Sequence, residues 1–286
     1  MTTLDKRLHA YRSDLADARL KGRVEAERFV GGKPMRVSRP ILDMLAGPSR
    51  ESGLNTQLLR GAPVTMFDER DGLAWVQARE DGYVGYVEAD GLDEPGLAPT
   101  HVVTAPRTFL YREPDMKKGR VETLSMGSAV TVAGETETRG TRYALLSSGE
   151  AAVAVHLRPL ADPAGDWVAV AETLKHTPYL WGGASAFGID CSGLVQIAMR
   201  IAGRAVPRDS DMQAAGIGSP LDPGPELIGL ERGDLVFWKG HVAIVTGPDS
   251  IIHANGHTMT VARESLSGAV ARIGYLYGQP TGFRRP

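Results

Sequence analysis

Three residues of this chain have the types and order for nucleophilic catalysis: Cys191, His241 and His253. Cys191 is the only cysteine in 286 residues, so it can neither close an internal disulfide nor anchor a cysteine zinc site. It follows Asp190 and precedes Ser192-Gly193 and an apolar run of helical spacing, which places the thiol on the first turn of a helix. Unpaired backbone N–H groups and the positive end of the helix dipole favour an anion there. A thiol whose ordinary pKa is about 8.5 thereby becomes a better nucleophile. The same N–H groups can hold an oxyanion when a carbonyl is attacked. A cysteine within a helix is otherwise an inert core residue, and it is the polar Asp-Cys-Ser context that argues for reactivity.

His241 opens an alternating apolar strand, HVAIVT, and His253 lies at the end of the next, SIIHA, beyond a turn at Gly247-Pro248-Asp249. Pairing 242–247 with 250–253 as a hairpin brings the two imidazoles together, one as base and the other as its orienter. With a histidine beside it, the thiol can rest as a thiolate–imidazolium pair. Either histidine alone reads as an ordinary strand residue, whereas a lone Cys with both outlines a cysteine peptidase. Gly182, Gly183 and Gly188 lie on the approach to the thiol and leave room for a substrate backbone. His253 and His257 are four apart, but Gly256 argues against a helix there, so no metal site is expected. Arg208 and Asp209 are expected to fix the loop carrying Ser210. His9, His101, His156 and His176 carry no signal beyond surface or packing.

The elements that position these residues follow from pattern. Leu4, Leu8, Tyr11, Leu15 and Leu20 predict one amphipathic helix over 4–20. From about 40 the chain breaks into short β-rich runs in two diverged copies, 45–92 and 110–160. Each runs from a Leu shortly before a Pro (Leu45 and Pro48, Leu110 and Pro114) through a strand and Gly-x-x-Val-Thr to a strand with a bulky aromatic. Such spacing predicts two small β-barrels. DEPGLAP (93–99) and ADPAGD (161–166) read as linkers. After 166, WVAVAETLKH and CSGLVQIAMRIAG (191–203) read as helices, the first closed by Pro178 and the second by Gly203. Strands DLVFW, HVAIVT, SIIHA and TVARE follow, with a last one expected within ARIGYLYGQ. Helices first and strands after predict an α+β layout with an antiparallel sheet.

Composition bounds the rest. A hydrophobic content of 42% and a charged content of 23% fit an ordinary globular chain, and a net charge of −2 gives no footprint for nucleic acid. The charged N-terminus has no apolar run of a signal peptide, and no window approaches a membrane span. A cytoplasmic protein without nucleic-acid or membrane partners is the expectation. Residues 1–60 are rich in Lys and Arg and 61–100 in Asp and Glu; the acidic stretch reads as a solvated face or as a surface for a cationic ligand group.

In their order and spacing, YLWGGASAFGIDCSGLVQ (179–196), GDLVFWKGHVAIV and IIHANG resemble the NlpC family of cell-wall cysteine endopeptidases, over roughly 167–286. The resemblance implies a papain-like core with Cys191 as nucleophile, His241 as base and His253 as third polar residue, and it implies no cofactor. The first β-rich copy, with Trp75 and DGYVGYV, resembles a bacterial SH3-like (SH3b) domain. The whole layout is then an N-terminal helical segment (1–39), two SH3b-like domains (40–98 and 99–162) and a peptidase domain (163–286). It is similar to the γ-D-glutamyl-L-diamino-acid endopeptidases of murein recycling. That likeness implies a murein peptide substrate, L-Ala-γ-D-Glu-diamino acid, with a free L-Ala amine bound by Asp190 and Ser192, with Tyr179 and Ser210 nearby. It implies a tyrosine of the first SH3b domain, Tyr83 before Tyr86, and an acidic partner, Glu51. The Cys191 N–H and the Tyr179 hydroxyl are the expected oxyanion donors. An exported hydrolase of intact wall, an acyltransferase on the same scaffold and an SH3b-based binding protein with an inactive peptidase domain stay open.

Overall fold

Residues 4–20 do not form the expected helix in the computed structural model, which describes residues 4–286. Residues 1–3 of the expected N-terminal segment (1–39) lie outside the described residues. Asp5 turns the chain instead, its carboxylate accepting from the Arg7 N–H at 2.8 Å and its carbonyl from the Leu8 N–H at 3.1 Å. Leu15–Asp17 then pairs in parallel with Arg28–Val30, and a 3-10 turn, Ala18–Leu20, intervenes with Asp17 accepting from the Arg19 N–H. Ser13, Asp14 and Asp17 have short polar side chains that compete with helical backbone bonds. The apolar residues still reach a core, since Ala10 and Leu15 are buried with Phe67, Trp75 and Val84.

The chain divides into two compact units, 1–162 and 163–286. In the first unit the two diverged copies fold to the same succession. One runs through strands Ile41–Leu45, Leu54–Leu59, Pro63–Arg70, Leu73–Ala78 and Val84–Glu88 to a 3-10 turn at Ala89–Gly91. The other runs through Arg107–Tyr111, Arg120–Ser125, Val132–Thr138, Thr141–Leu146 and Ala151–Val153 to a 3-10 turn at Ala154–His156. Their bulges also correspond, Met44/Leu45 with Leu110/Tyr111 and Met66/Asp68 with Val132/Gly134. The sheets are nevertheless open rather than closed barrels. One is seven-stranded and ends at Leu54–Leu59 and Leu92–Asp93; the second copy splits into a three- and a five-stranded sheet. Bulges bend these short strands strongly, and no ladder joins the outer strands among the described residues. The unit is a β-rich, SH3-like region.

Its charges pair internally. Arg12 meets Asp68 at 2.7 Å, Arg39 meets Glu88 at 2.7 Å and Asp90 at 2.6 Å, Arg50 meets Glu88 at 3.0 Å, and Lys33 meets Glu94 at 2.8 Å. Part of the basic excess of 1–60 thus answers part of the acidic excess of 61–100.

The second unit is α+β. Helix α1 (Trp167–Thr173) is capped by Asp166, which accepts from the Val168 and Ala169 N–H groups at 3.0 Å. Helix α2 (Cys191–Ile201) is buried along almost its whole length, and α3 (Ser210–Gly216) follows in a stretch expected to be loop. Strands β1 (Leu235–Trp238), β2 (His241–Gly247), β3 (Ser250–Asn255) and β4 (Thr260–Glu264) form an antiparallel sheet in that order. The expected strand within ARIGYLYGQ is a helix, α4 (Leu266–Tyr277), and β5 (Gly282–Arg285) joins the sheet beside β1. Ser265 caps α4 by accepting from the Gly268 N–H at 3.1 Å, and Leu266, Ala269 and Ile273 bury one face on Val236, Trp238, Ala243, Val245 and Ile251. Spacing of three and four residues is a helical face. No helix among the described residues is long and apolar enough to cross a membrane.

Candidate active site

Cys191 is the first residue of α2, 7% exposed, behind an extended Asp190 whose Oδ1 accepts from the Gly193 N–H at 2.7 Å. A Cβ on Gly193 would lie 2.4 Å from the Gly183 carbonyl oxygen, and one on Gly183 would lie 2.5 Å from the Gly188 carbonyl oxygen. Gly188 likewise abuts the Leu180 side chain. Gly183, Gly188 and Gly193 thus serve the protein's own packing. Gly193→Ala is therefore expected to destabilise the second unit by about 1–3 kcal/mol through overpacking. Gly216→Ala, with open space around the new Cβ, is the matched control in thermal unfolding.

Asp190 is also half of a buried ion pair. Its Oδ2 accepts from Arg208 Nη2 at 2.6 Å and the Gly182 N–H at 3.0 Å. Its Oδ1 accepts from Arg208 Nη1 at 3.1 Å and Ser192 Oγ at 3.2 Å, besides Gly193. Ser192 Oγ in turn accepts from Arg208 Nη1 at 2.9 Å. A carboxylate offers about four lone-pair sites, so this one is filled, and Ser192 is equally engaged. Both residues thus hold the start of α2. Arg208 is this pair's counter-ion at 1% exposure rather than a loop brace. Gln213 of α3 adds a bond from Nε2 to the Ser192 carbonyl at 2.9 Å. Ser210, half-buried, opens α3 beside Asp209.

The hairpin forms as expected, with Ile244 opposite Ile252 and Val245 opposite Ile251. It brings the two imidazoles into contact, His241 Nε2 lying 2.8 Å from His253 Nδ1. The Cys191 sulfur receives the backbone N–H of Val242, the neighbour of His241. His253 is fully buried, and its Nε2 lies 2.7 Å from Glu264 Oε1 on β4, close but off the line of an ideal hydrogen bond. Arg272 of α4 pairs with the same carboxylate oxygen. Sequence reasoning missed Glu264 and Arg272; only the β3–β4 register, which sets His253 opposite Ala262, brings Glu264 near.

Burial decides the electrostatics. It pushes the Cys191 thiol up to about 12, with the Asp190 charge adding to it, against the pull of the Val242 and Ser192 N–H groups. It pushes His241 down to about 3, helped by His253. Burial thus works against charge on both groups, the thiolate and the imidazolium alike. Tyr179 is held up at about 12 by its own burial and by Cys191 and Asp190, which keeps its hydroxyl a donor near the sulfur. The close contact with His253 holds Glu264 down at about 2, with Arg272 adding to it against burial. That contribution to stability is full above the ordinary carboxylate range and is lost as pH falls through about 2. The gap in Tm between the protein and Glu264→Gln is expected to narrow steadily from pH 5 towards pH 2.

The remaining expected site residues lie in the first unit. Tyr83 is buried, the Tyr86 hydroxyl accepts from Arg12 Nη1 at 3.3 Å, and Glu51 is exposed on a turn.

Residues 176–275 match the family model described as the NlpC/P60 family, and 44–92 match the bacterial dipeptidyl-peptidase SH3 domain. The second unit belongs to the NlpC/P60 family. The chain is a cysteine peptidase of that family with an N-terminal bacterial SH3 domain. Among similar proteins, dipeptidyl-peptidase 6 of Lysinibacillus sphaericus is 27% identical over 268 residues, 83% of this chain and 97% of that protein. The γ-D-glutamyl-L-lysine dipeptidyl-peptidase of Bacillus subtilis is 28% identical over 245 residues, 76% of this chain and 78% of that protein. The crystal structure of an NlpC/P60 family protein from Bacillus cereus superposes with a TM-score of 0.73 at 22% identity, covering 88% of this chain and 99% of that one. The NlpC/P60 likeness at that identity speaks for the fold.

Proposed function

We propose that this NlpC/P60 peptidase hydrolyses the bond between D-Glu, through its γ-carbonyl, and the diamino acid of murein peptides that begin with a free L-Ala. The observation that carries the reading is the Cys191–His241–His253 array at the N-terminus of a buried helix, on a chain similar over most of its length to dipeptidyl-peptidases named for the γ-D-glutamyl-L-lysine bond. His241 takes the Sγ proton as sulfur attacks the γ-carbonyl carbon. The Cys191 N–H and the Tyr179 hydroxyl stabilise the oxyanion. Collapse breaks the amide bond as His241 protonates the leaving amine, and water, activated by His241, then hydrolyses the thioester. Burial, which disfavours the imidazolium, suits His241 to the part of a base.

Selection for the free amine is assigned to Asp190 and Ser192, with the Tyr179 and Ser210 hydroxyls nearby. The test is mass spectrometry on L-Ala-γ-D-Glu-meso-diaminopimelate, its L-Lys analogue, the N-acetylated forms and intact sacculi. Release of L-Ala-D-Glu from the free-amine peptides alone is expected, and would fit recycling in the cytoplasm. Cleavage of sacculi at a comparable rate would move the activity to wall hydrolysis. Tyr83→Phe and Glu51→Gln, scored by the free-to-acetylated ratio, test the expectations placed on those two residues.

A further inference from the structure

The contacts leading away from Cys191 do not stop at the third polar residue. His241 Nε2 touches His253 Nδ1 at 2.8 Å, His253 Nε2 lies 2.7 Å from Glu264 Oε1, and Arg272 pairs with that oxygen. We propose that Glu264, held by Arg272, is a positioning residue that fixes the tautomers of both histidines and so leaves the remaining nitrogen of His241 free to take the thiol proton. This rests on the reading of Cys191 as nucleophile and His241 as base.

The argument is one of donors and acceptors. A neutral imidazole carries one N–H and one lone pair, and an ionised carboxylate only accepts. With His253 as a neutral imidazole, which the proposal requires, Glu264 places that ring's proton on Nε2. The His253 lone pair is then on Nδ1, so His241 must donate from Nε2. That leaves the lone pair of His241 on Nδ1, its only nitrogen not engaged with His253. The opposite order, with His253 donating from Nδ1, would put the His241 proton on Nδ1 and block proton transfer from the thiol. Nothing else competes: His253 is fully buried, and its nitrogens face only His241 and Glu264 among the described residues. Arg272 keeps its charge at any working pH, so the carboxylate stays ionised and in place. A chain in which one hydrogen bond dictates the next is how outer partners set which ring nitrogen is free.

The experiment uses the full chain labelled with 15N-histidine. Two-bond nitrogen–proton correlation at neutral pH is expected to show both His241 and His253 protonated on Nε2. Alkylation by iodoacetamide, unambiguous because Cys191 is the only thiol, is expected to slow about 10–100-fold in Glu264→Gln. The same variant should lose the single tautomer of His253, and Glu264→Asp should recover both properties in large part. His253 protonated on Nδ1 in the unaltered protein would overturn the proposal without recourse to any variant. So would Glu264→Gln alkylating at the original rate with unchanged tautomers. Neither readout needs a murein peptide, so failure of the proposed hydrolysis is distinguished from failure of this relay.

Discussion

Cys191→Ala is expected to lower turnover of the murein peptide by about 10⁵–10⁶-fold, the loss typical of removing a nucleophile that acts with its base as a unit. The chain has no second thiol to substitute for it, and the neighbouring Ser192 is engaged with Asp190 and Arg208. The substitution removes one sulfur from a 7% exposed site, so the fold should survive and the loss should appear in kcat rather than in Tm. His241→Ala should cost nearly as much, and the double variant little more than either alone. Those three turnover numbers, measured with thermal unfolding of the same samples, check the prediction. Retained hydrolysis in Cys191→Ala would remove the thiol from the mechanism.

The second large effect concerns stability. Arg208→Met is expected to cost about 3–5 kcal/mol, because it strands a buried carboxylate without its counter-ion. Arg208 is 1% exposed and gives Asp190 two hydrogen bonds, at 2.6 and 3.1 Å, while a third reaches Ser192 at 2.9 Å. Asp190 also caps α2 through the Gly193 N–H, so the same substitution should loosen the turn that presents the thiol. Adding Asp190→Asn should return part of the lost stability by removing the stranded charge. Thermal and urea unfolding of the single and double variants measure both statements. A change below about 1 kcal/mol would mean that the pair is held by its surroundings rather than holding them.

Much of the site was legible because its chemistry is local. The Asp-Cys-Ser start of α2 and the turn at 247–249 are short-range signals, and they place Cys191, His241 and His253 where the structure has them. The errors arose where a distant contact decides. ARIGYLYGQ has the aromatic and branched residues of a strand, but Asp249, eighteen residues earlier, accepts from the Ser267 N–H at 2.7 Å and starts α4. Leu4 to Leu20 have helical spacing, but short polar side chains and pairing with Arg28–Val30 direct them otherwise. Glu264 reads as a strand-end acid until the β3–β4 register sets it beside His253. Arg208 reads as a loop residue until the fold returns it to Asp190. The charge imbalance between 1–60 and 61–100 was visible, but its resolution into ion pairs needed the sheet.

The strand Lys33–Val37 lies between Pro63–Arg70 and Leu92–Asp93 in the seven-stranded sheet, although the SH3 match begins only at residue 44. The SH3 module is therefore not a portable cassette. Excised at its family boundaries, it would expose two bare strand edges, which invite pairing with other chains. It would also leave Asp68 without Arg12. A fusion or domain graft built from this protein should begin near residue 5 to carry an intact module.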